Sequence, residues 1–561
     1  MKQIGIGIVI LLMGALLLSN CASISQPTGG PKDTIPPVLE FSVPLNGSLN
    51  YRGRTIQLKF DEFVKVDQLR EQLIITPKYG GEVKSKVNKY TVALELDTKL
   101  NDSTTYTFTF REGIKDITES NAPKNLYIAF STGNYIDSIF IEGNVNHLMT
   151  GAPSDDILVG LYPVEDTVYL FDGAPTYFTK TDEEGYFRIN NIKVGDYFLT
   201  ANQDENKNLS NDSDKESYAF MADTLDLSVS VSDIKLPLYR QDIRPIEMLN
   251  SRTSGKYFEV KYNKYVTDYS LDSSDSLIST LIDENRSIRF YDYQFDHDSL
   301  QTFITAIDSL GHSTVDTVMV KFEETKRDYD KFKFSTTLDD DEKVNEDLSF
   351  DFNFNKPIRD IFYDSLFFQY DSAHILQLDS SHIQWNPYRT KATFTVKLDS
   401  TLFYQLKMAR DTVTQEIDEE GQPRKKSRSS QSMVKFVSGP ATFISIEEDS
   451  TDLLIRRIDF KKRDQLGTLK GTVTTEYNSF TLQLVDKKFN VIAELQNTRN
   501  YEFKEIEPGK YFIRVLIDAN ENGIWEKGNI LKGIEPEPVF IYDKELPIRA
   551  NWEIGGEDFG F

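Results

Sequence analysis

From Pro36 onward, apolar residues fall on every second position in short runs that turn residues interrupt, and this pattern holds over nearly all of the 561-residue chain. Ile56-Gln57-Leu58-Lys59-Phe60 places three apolar side chains on one side of a strand, and Tyr90 to Leu96 and Tyr106 to Phe110 repeat the arrangement. Successive side chains of a strand point to opposite faces, so such runs predict half-buried strands stacked in sheets. Long helical periodicity is absent, with Val66 to Leu73 the one stretch suited to a turn or two of helix. A chain punctuated in this way is expected to divide into small β-sandwiches rather than to close as one large barrel.

Two internal repeats support separate modules. Phe60-Asp61-Glu62-Phe63-Val64 matches Phe354-Asn355-Lys356-Pro357-Ile358, 294 positions later, with Ile56 and Leu58 matching Phe350 and Phe352. Each of these modules ends on a similar phrase, Phe130-Ser131-Thr132-Gly133 and Phe436-Val437-Ser438-Gly439. The two segments resemble the bacterial Ig-like domain of SbsA-like type found in bacterial surface proteins. The second repeat, at an offset of 314, pairs Gly195-Asp196-Tyr197-Phe198 with Gly509-Lys510-Tyr511-Phe512, Ile192 with Ile506, and Asp204, Asn206 and Asn208 with Asp518, Asn520 and Asn522. It resembles the transthyretin-like, carboxypeptidase-regulatory type of sandwich. Between the pairs, Tyr257 to Glu324 alternates like a further sandwich, and Ala306 to His312 resembles the turn before a final Ig strand. The expected fold is therefore all-β: tandem Ig-like and transthyretin-like β-sandwiches in a rod behind a signal peptide. The expected divisions are 1–20 (signal peptide), 21–35 (lipidated tether), 36–134 (bacterial Ig-like), 135–238 (transthyretin-like), 239–325 (Ig-like), 326–440 (bacterial Ig-like) and 441–561 (transthyretin-like with a C-terminal loop).

Cys21 is the single cysteine, so neither an intramolecular disulfide nor a multi-cysteine metal site can form. Lys2, the apolar run Ile4 to Leu18 and then Ser19-Asn20-Cys21 make a basic n-region and a short h-region, the outline of a secretory signal. The segment resembles a bacterial lipoprotein signal, with Leu18 at −3 and Cys21 as the lipidated residue, although Asn20 at −1 departs from the usual small side chain. That resemblance implies a covalent lipid on Cys21. Several acyl chains on one residue anchor stably where one is marginal. Ala22 stands where the enteric inner-membrane signal has Asp, which favours the outer membrane. Ser23 to Thr34, with Pro27, Gly29, Gly30 and Pro31, reads as a tether.

Asp and Glu number 88 against 63 Lys and Arg, a formal charge of −25. This balance excludes an overall cationic nucleic-acid binder and suits divalent cations or basic partner surfaces. Asp518-Ala519-Asn520-Glu521-Asn522-Gly523 alternates oxygen side chains and ends on glycine, as a Ca²⁺ loop does, but position twelve is Asn529 rather than an acid. Asp204, Asn206 and Asn208 make a poorer version, with Leu209 where glycine belongs. The competing reading, that Asp and Asn organise these loops by accepting from their own backbone, is favoured. The five histidines are scattered, and the motifs of zinc proteases, serine hydrolases and P-loop enzymes are absent. The expectation is no catalytic residue. Trp385, Trp525 and Trp552 have faces suited to a sugar, yet in sandwiches such residues are more often packing residues. Glu416 to Ser430 turns from acidic to basic, and Arg424, Lys425, Lys426 and Arg428 are candidate partner contacts on a hairpin excursion. Asp-Ser/Thr followed by an apolar residue recurs, from Asp33-Thr34-Ile35 to Asp411-Thr412-Val413, and is similar to the O-glycosylation signal of exported Bacteroidota proteins.

Taken together, Cys21, Pro27-Thr28-Gly29-Gly30-Pro31-Lys32-Asp33, Phe60-Asp61-Glu62-Phe63, the Asp518–Gly523 loop and Asn551-Trp552-Glu553 resemble Bacteroidota outer-membrane lipoproteins with bacterial Ig-like domains. The resemblance implies a non-enzymatic scaffold or accessory subunit of an outer-membrane protein complex, the β-barrel assembly machinery among them. Its expected partners are an outer-membrane β-barrel protein or other lipoproteins, with the membrane bound through the lipid and no nucleic acid. The alternative is a surface protein that binds glycans or depends on a cation, Ca²⁺ in particular; an enzyme without a recognisable motif comes third. Both faces of the outer membrane stay open, because Ala22 to Pro31 carries none of the acidic residues that mark surface export in that phylum.

Overall fold

The computed structural model describes residues 32–165, 173–323, 326, 328–413 and 433–561. The expected signal peptide, Cys21, most of the tether and the basic cluster Arg424, Lys425, Lys426 and Arg428 lie outside the described residues. What is described is almost wholly β: tandem two-sheet sandwiches, as expected, with two α-helices, of which the short Leu69–Gln72 lies inside the stretch expected to turn.

In the first module a four-stranded sheet, with Thr55–Phe60 and Thr91–Leu96 at its centre, faces a three-stranded sheet centred on Thr105–Thr109. Ile56, Leu58, Phe60, Val92, Leu94 and Phe108 are fully buried between them, the set that alternation in the sequence marks out. The third module, Met248 to Val320, packs a four-stranded on a three-stranded sheet around Val260, Ile288, Phe290 and Ile304.

The second and fifth modules share one plan. In each, the first strand pairs antiparallel with one neighbour and parallel with the module's last segment: Ile139–His147 with Val231–Leu238, and Gly467–Thr474 with Glu553–Ile554 and Phe559–Gly560. The 314 repeat has a physical cause. Tyr197 Oη donates to Lys193 O and Tyr511 Oη to Glu507 O, both at 2.9 Å, so the ring folds back over Gly195 or Gly509 and locks the strand entrance. A second glycine pair escaped the sequence reading. Gly143 sits against the carbonyl of Ile234 in the parallel strand and Gly471 against that of Glu557, between the two parallel segments, and a Cβ at either position would strike that backbone oxygen.

The fourth module departs from expectation in three respects. The strand Leu454–Phe460, assigned by the sequence to the last module, is hydrogen-bonded to Val434–Ser438 and Glu342–Val344 within the fourth module's sheet. That sheet therefore runs some twenty residues past the expected break at 440. The cause is the closing phrase. Val434–Ser438 is an inner strand, flanked by Leu366–Gln369 and Leu454–Phe460, and so occupies the place of Thr105–Thr109 in the first module. Leu454–Phe460, not Phe436-Val437-Ser438-Gly439, is the counterpart of Tyr127–Ser131. The third departure is a 14-residue helix, Ser400–Val413, where no helix was expected. Asp399 starts it by accepting from Leu402 N at 2.8 Å, and Phe403 plants it on the core beside Phe460. Asp411-Thr412-Val413 therefore ends a helix.

The modules are not arranged as a simple rod. Leu148, Tyr218, Phe220 and Tyr239 of the second module and Ile530 of the fifth share one buried cluster, flanked by Met149, Trp525 and Val539. Ala222 N donates to Glu535 Oε1 at 2.7 Å and Arg514 Nη1 to Met149 O at 3.1 Å across the same junction. The chain thus turns back on itself, and the second and fifth modules pack together.

Candidate functional site

The two Asp/Asn loops are built alike. Asp204 accepts from Asn208 N and Leu209 N at 2.9 and 3.1 Å; Asp518 accepts from Asn522 N and Gly523 N at 3.1 and 2.8 Å. Asn206 and Asn520 accept from Asn208 N and Asn522 N, and Asn208 and Asn522 from Ser210 N and Ile524 N, all between 2.8 and 3.0 Å. The Ser479 hydroxyl, at 2.7 Å, and then the loop's backbone amides hold the Asp518 carboxyl below its usual range. Each loop is also clamped by a glutamate that the sequence reading missed. Glu216, buried, accepts from Glu205 N at 3.0 Å and Asp212 N at 2.8 Å; Glu537, also buried, accepts from Asn520 N at 3.2 Å and Glu526 N at 2.9 Å. Both lie two residues before the returning strand, the one regularity that pairs them. Burial pushes the Glu216 carboxyl up. Among the described residues, no group of three or more His, Cys, Asp or Glu is placed to hold a metal ion.

The aromatic candidates are not brought together. Trp385 stacks on Phe354 at the fourth module's core, Trp525 packs into the second–fifth junction with Nε1 donating to Glu537 O at 3.2 Å, and Trp552 is exposed beneath Arg549. Four of the histidines pair with an aspartate at 2.6–3.0 Å, three of them with one three or four residues away: His297 with Asp275, His312 with Asp308, His374 with Asp371 and His382 with Asp379. Of the Asp-Ser/Thr hydroxyl residues, Thr34, Ser138, Thr224, Ser276 and Ser309 are exposed and Ser365 is half-buried.

The developed interfaces lie at the module junctions. Between the third and fourth modules, Tyr257, Tyr291 and Ile446 are buried together against Ile278, Tyr293 and Tyr329. Lys356, fully buried, pairs with Glu447 at 2.5 Å and also with Asp449, while Tyr257 Oη donates to Glu447 Oε2 at 3.3 Å from the neighbouring module. Burial holds the Glu447 carboxyl above its ordinary value even with Lys356 against it. A 490 Å³ cavity at the same junction is lined by Tyr269, Tyr293, Tyr388 and Arg389. Between the first and second modules, Lys78 N donates to Thr176 O at 2.8 Å and Arg111 pairs with Asp156 at 3.0 Å, beside a 580 Å³ cavity floored by Leu69, Leu73 and Phe178. These sites position modules; none aligns an acid, a base and a nucleophile.

Residues 33–132, the first module, match the bacterial Ig-like domain family. No curated protein matches the chain. Among solved structures, it is similar to the Bacillus anthracis TIE protein at 9% identity, over 95% of this chain and 76% of that one, with a TM-score of 0.12. It is similar also to BcpA, the major pilin subunit of Bacillus cereus, at 10% identity over 75% and 98%, TM-score 0.13. A third is the S-layer protein SbsC, at 11% identity over 91% and 67%, TM-score 0.14. Likenesses at this level carry no argument about activity or partner.

Proposed function

We propose that this protein is an outer-membrane lipoprotein held through Cys21, and that it acts as a non-enzymatic scaffold or accessory subunit of an outer-membrane protein complex, the β-barrel assembly machinery among the candidates. The observation that carries the reading is how the described polar residues are used. The loops with the best metal-like spacing spend their oxygens on backbone amides, and the buried Lys356–Glu447 pair of the fourth module holds Glu447 where Tyr257 of the third module donates to it. Chemistry invested in fixing the relative placement of sandwiches is what a scaffold needs. Cys21 precedes the first sandwich by a short Pro/Gly tether, which holds that module close to the membrane.

Cys21→Ala tests the anchor. The native chain is expected to fractionate with membranes and to incorporate radiolabelled palmitate; the variant is expected in the soluble fraction without label. A variant that stays membrane-bound and labelled would remove Cys21 from this role.

A further inference from the structure

The first and fourth modules carry the same edge, built by the same hydrogen bonds, and only one copy is covered. In the first module Val38 N donates to Asp61 Oδ1 at 2.7 Å and Asp61 N to Val38 O at 3.1 Å; in the fourth, Lys333 N donates to Asn355 Oδ1 at 2.7 Å and Asn355 N to Lys333 O at 3.1 Å. Phe60 N reaches Tyr90 O at 2.8 Å and Val64 N reaches Lys89 O at 2.9 Å, while Phe354 N reaches Thr390 O and Ile358 N reaches Arg389 O at those same distances. The last link joins Ile117 N to Phe63 O at 3.2 Å, and Ile446 N to Pro357 O at 3.0 Å. Phe63 thus stands where Pro357 does, Ile117 where Ile446 does, and Glu62 where Lys356 does.

In the fourth module this edge is an interface. Ile446 is 7% exposed and Lys356 fully buried, with the third module's Tyr257 and Tyr291 packed on them. In the first module the same positions are open: Ile117 is 53% exposed and Phe63 45%, beside Tyr90, Val38 and Ile35, all exposed. Phe63 and Tyr90 form a ring pair at 4.7 Å. Apolar and aromatic side chains gathered at one exposed place, with polar groups around them, mark a docking surface. Here the surrounding groups are carboxylates: burial, then Asp116, Asp61, Asp33 and Glu119, push the Glu62 carboxyl above its ordinary value.

We infer that the open edge around Phe63 and Ile117 docks a separate protein whose contact face is apolar at its centre and lined with Lys or Arg. The covered copy shows which kind of body fits the edge, since a β-sandwich sits on it. In the covered copy Lys356 finds its counter-charge, Glu447, within its own module; among the described residues Glu62 has no cation paired with it, so the partner is to bring one. An anionic lipid surface would meet the carboxylates of Asp33, Asp61, Glu62 and Glu119, and a second copy of this chain brings a net charge of −25. The inference deepens the scaffold reading and rests on it for location. Eleven residues separate Cys21 from Asp33, so Asp33 lies within at most roughly 40 Å of the anchor.

The test places p-benzoylphenylalanine at Phe63 of the full-length chain in its native host, and separately at Val491, an exposed strand residue of the fifth module. Irradiation is expected to give one discrete protein adduct from position 63 and none from 491, with the cross-linked peptide lying on a Lys/Arg-lined surface. Adding Glu62→Lys is expected to cut the adduct about tenfold, a change equal to 1.4 kcal/mol. Adducts to lipid or to a second copy, no adduct, or a yield indifferent to Glu62→Lys would each overturn the proposal. Fractionating the unirradiated cells reads the anchor independently. Membrane-bound chain without an adduct removes the docking surface alone; soluble chain that still forms the adduct removes the anchor alone.

Discussion

Lys356→Ala is expected to cost the third–fourth junction about 3–5 kcal/mol, because it leaves a buried carboxylate without its counter-charge. The Lys356 side chain is 0% exposed and that of Glu447 5%. With the lysine gone, Glu447 keeps only the Tyr257 hydroxyl at 3.3 Å. Hydrogen exchange should therefore lose protection in Ile358–Ile361 and Phe443–Ser445 and, across the junction, in Tyr257–Tyr262. Pairing Lys356→Met with Glu447→Leu should recover most of the loss, since removing both charges removes the desolvation penalty along with the attraction. The exposed Lys59–Glu40 pair is the control: its side chains are 55% and 47% exposed, and Lys59→Ala should leave the exchange pattern of the first module unchanged. Loss of protection confined to the fourth module would show that the pair stabilises that sandwich without coupling it to its neighbour.

Asp308→Ala is expected to damage the third module by a similar amount, about 3–5 kcal/mol. Lys264 Nζ donates to Asp308 Oδ2 at 2.6 Å, with the two side chains 5% and 0% exposed, and also to the carbonyls of Asp242 and Arg244 at 2.8 and 2.7 Å. One buried ammonium thus ties the linker from the second module to the turn before the third module's last strand. Burial alone raises the Asp308 carboxyl, but Lys264 and the Leu310 and His312 amides outweigh it and hold the carboxyl below its ordinary value. The sign follows from linkage. A carboxyl depressed in the folded state adds stability that is present above the unfolded Asp value of about 3.9 and is lost as pH falls through the folded value. The third module should therefore lose hydrogen-exchange protection below about pH 4, and Asp308→Asn should flatten that dependence. An acid transition that persists in Asp308→Asn would place its origin elsewhere.

The strands were legible because half-buried strands write their burial into alternate residues, as Ile56, Leu58 and Phe60 do. The 294 repeat was legible because its residues serve the same backbone hydrogen bonds in both copies. The closing phrase misled because Ser400–Val413 and the residues after it lengthen the connection, so an inner strand in one module matched an outer strand in the other. Glu216 and Glu537 were invisible: a carboxylate is buried there because two amides from distant loop positions converge on it, and no local pattern encodes that. The second–fifth junction escaped for a related reason. Tyr218, Tyr239, Trp525 and Ile530 lie on short strands and loops where neither strand nor helix period applies. The open edge of the first module needed both kinds of information, the repeat from sequence and the difference in exposure from structure.

We propose that this chain works as a lipid-anchored member of an outer-membrane assembly. Affinity purification of the full-length chain from detergent-solubilised membranes tests it most directly. The account predicts recovery with an outer-membrane β-barrel protein in fixed proportion, and loss of that protein when Phe63→Asp and Ile117→Asp are combined. Recovery of the chain alone, together with binding to a glycan array, would contradict it.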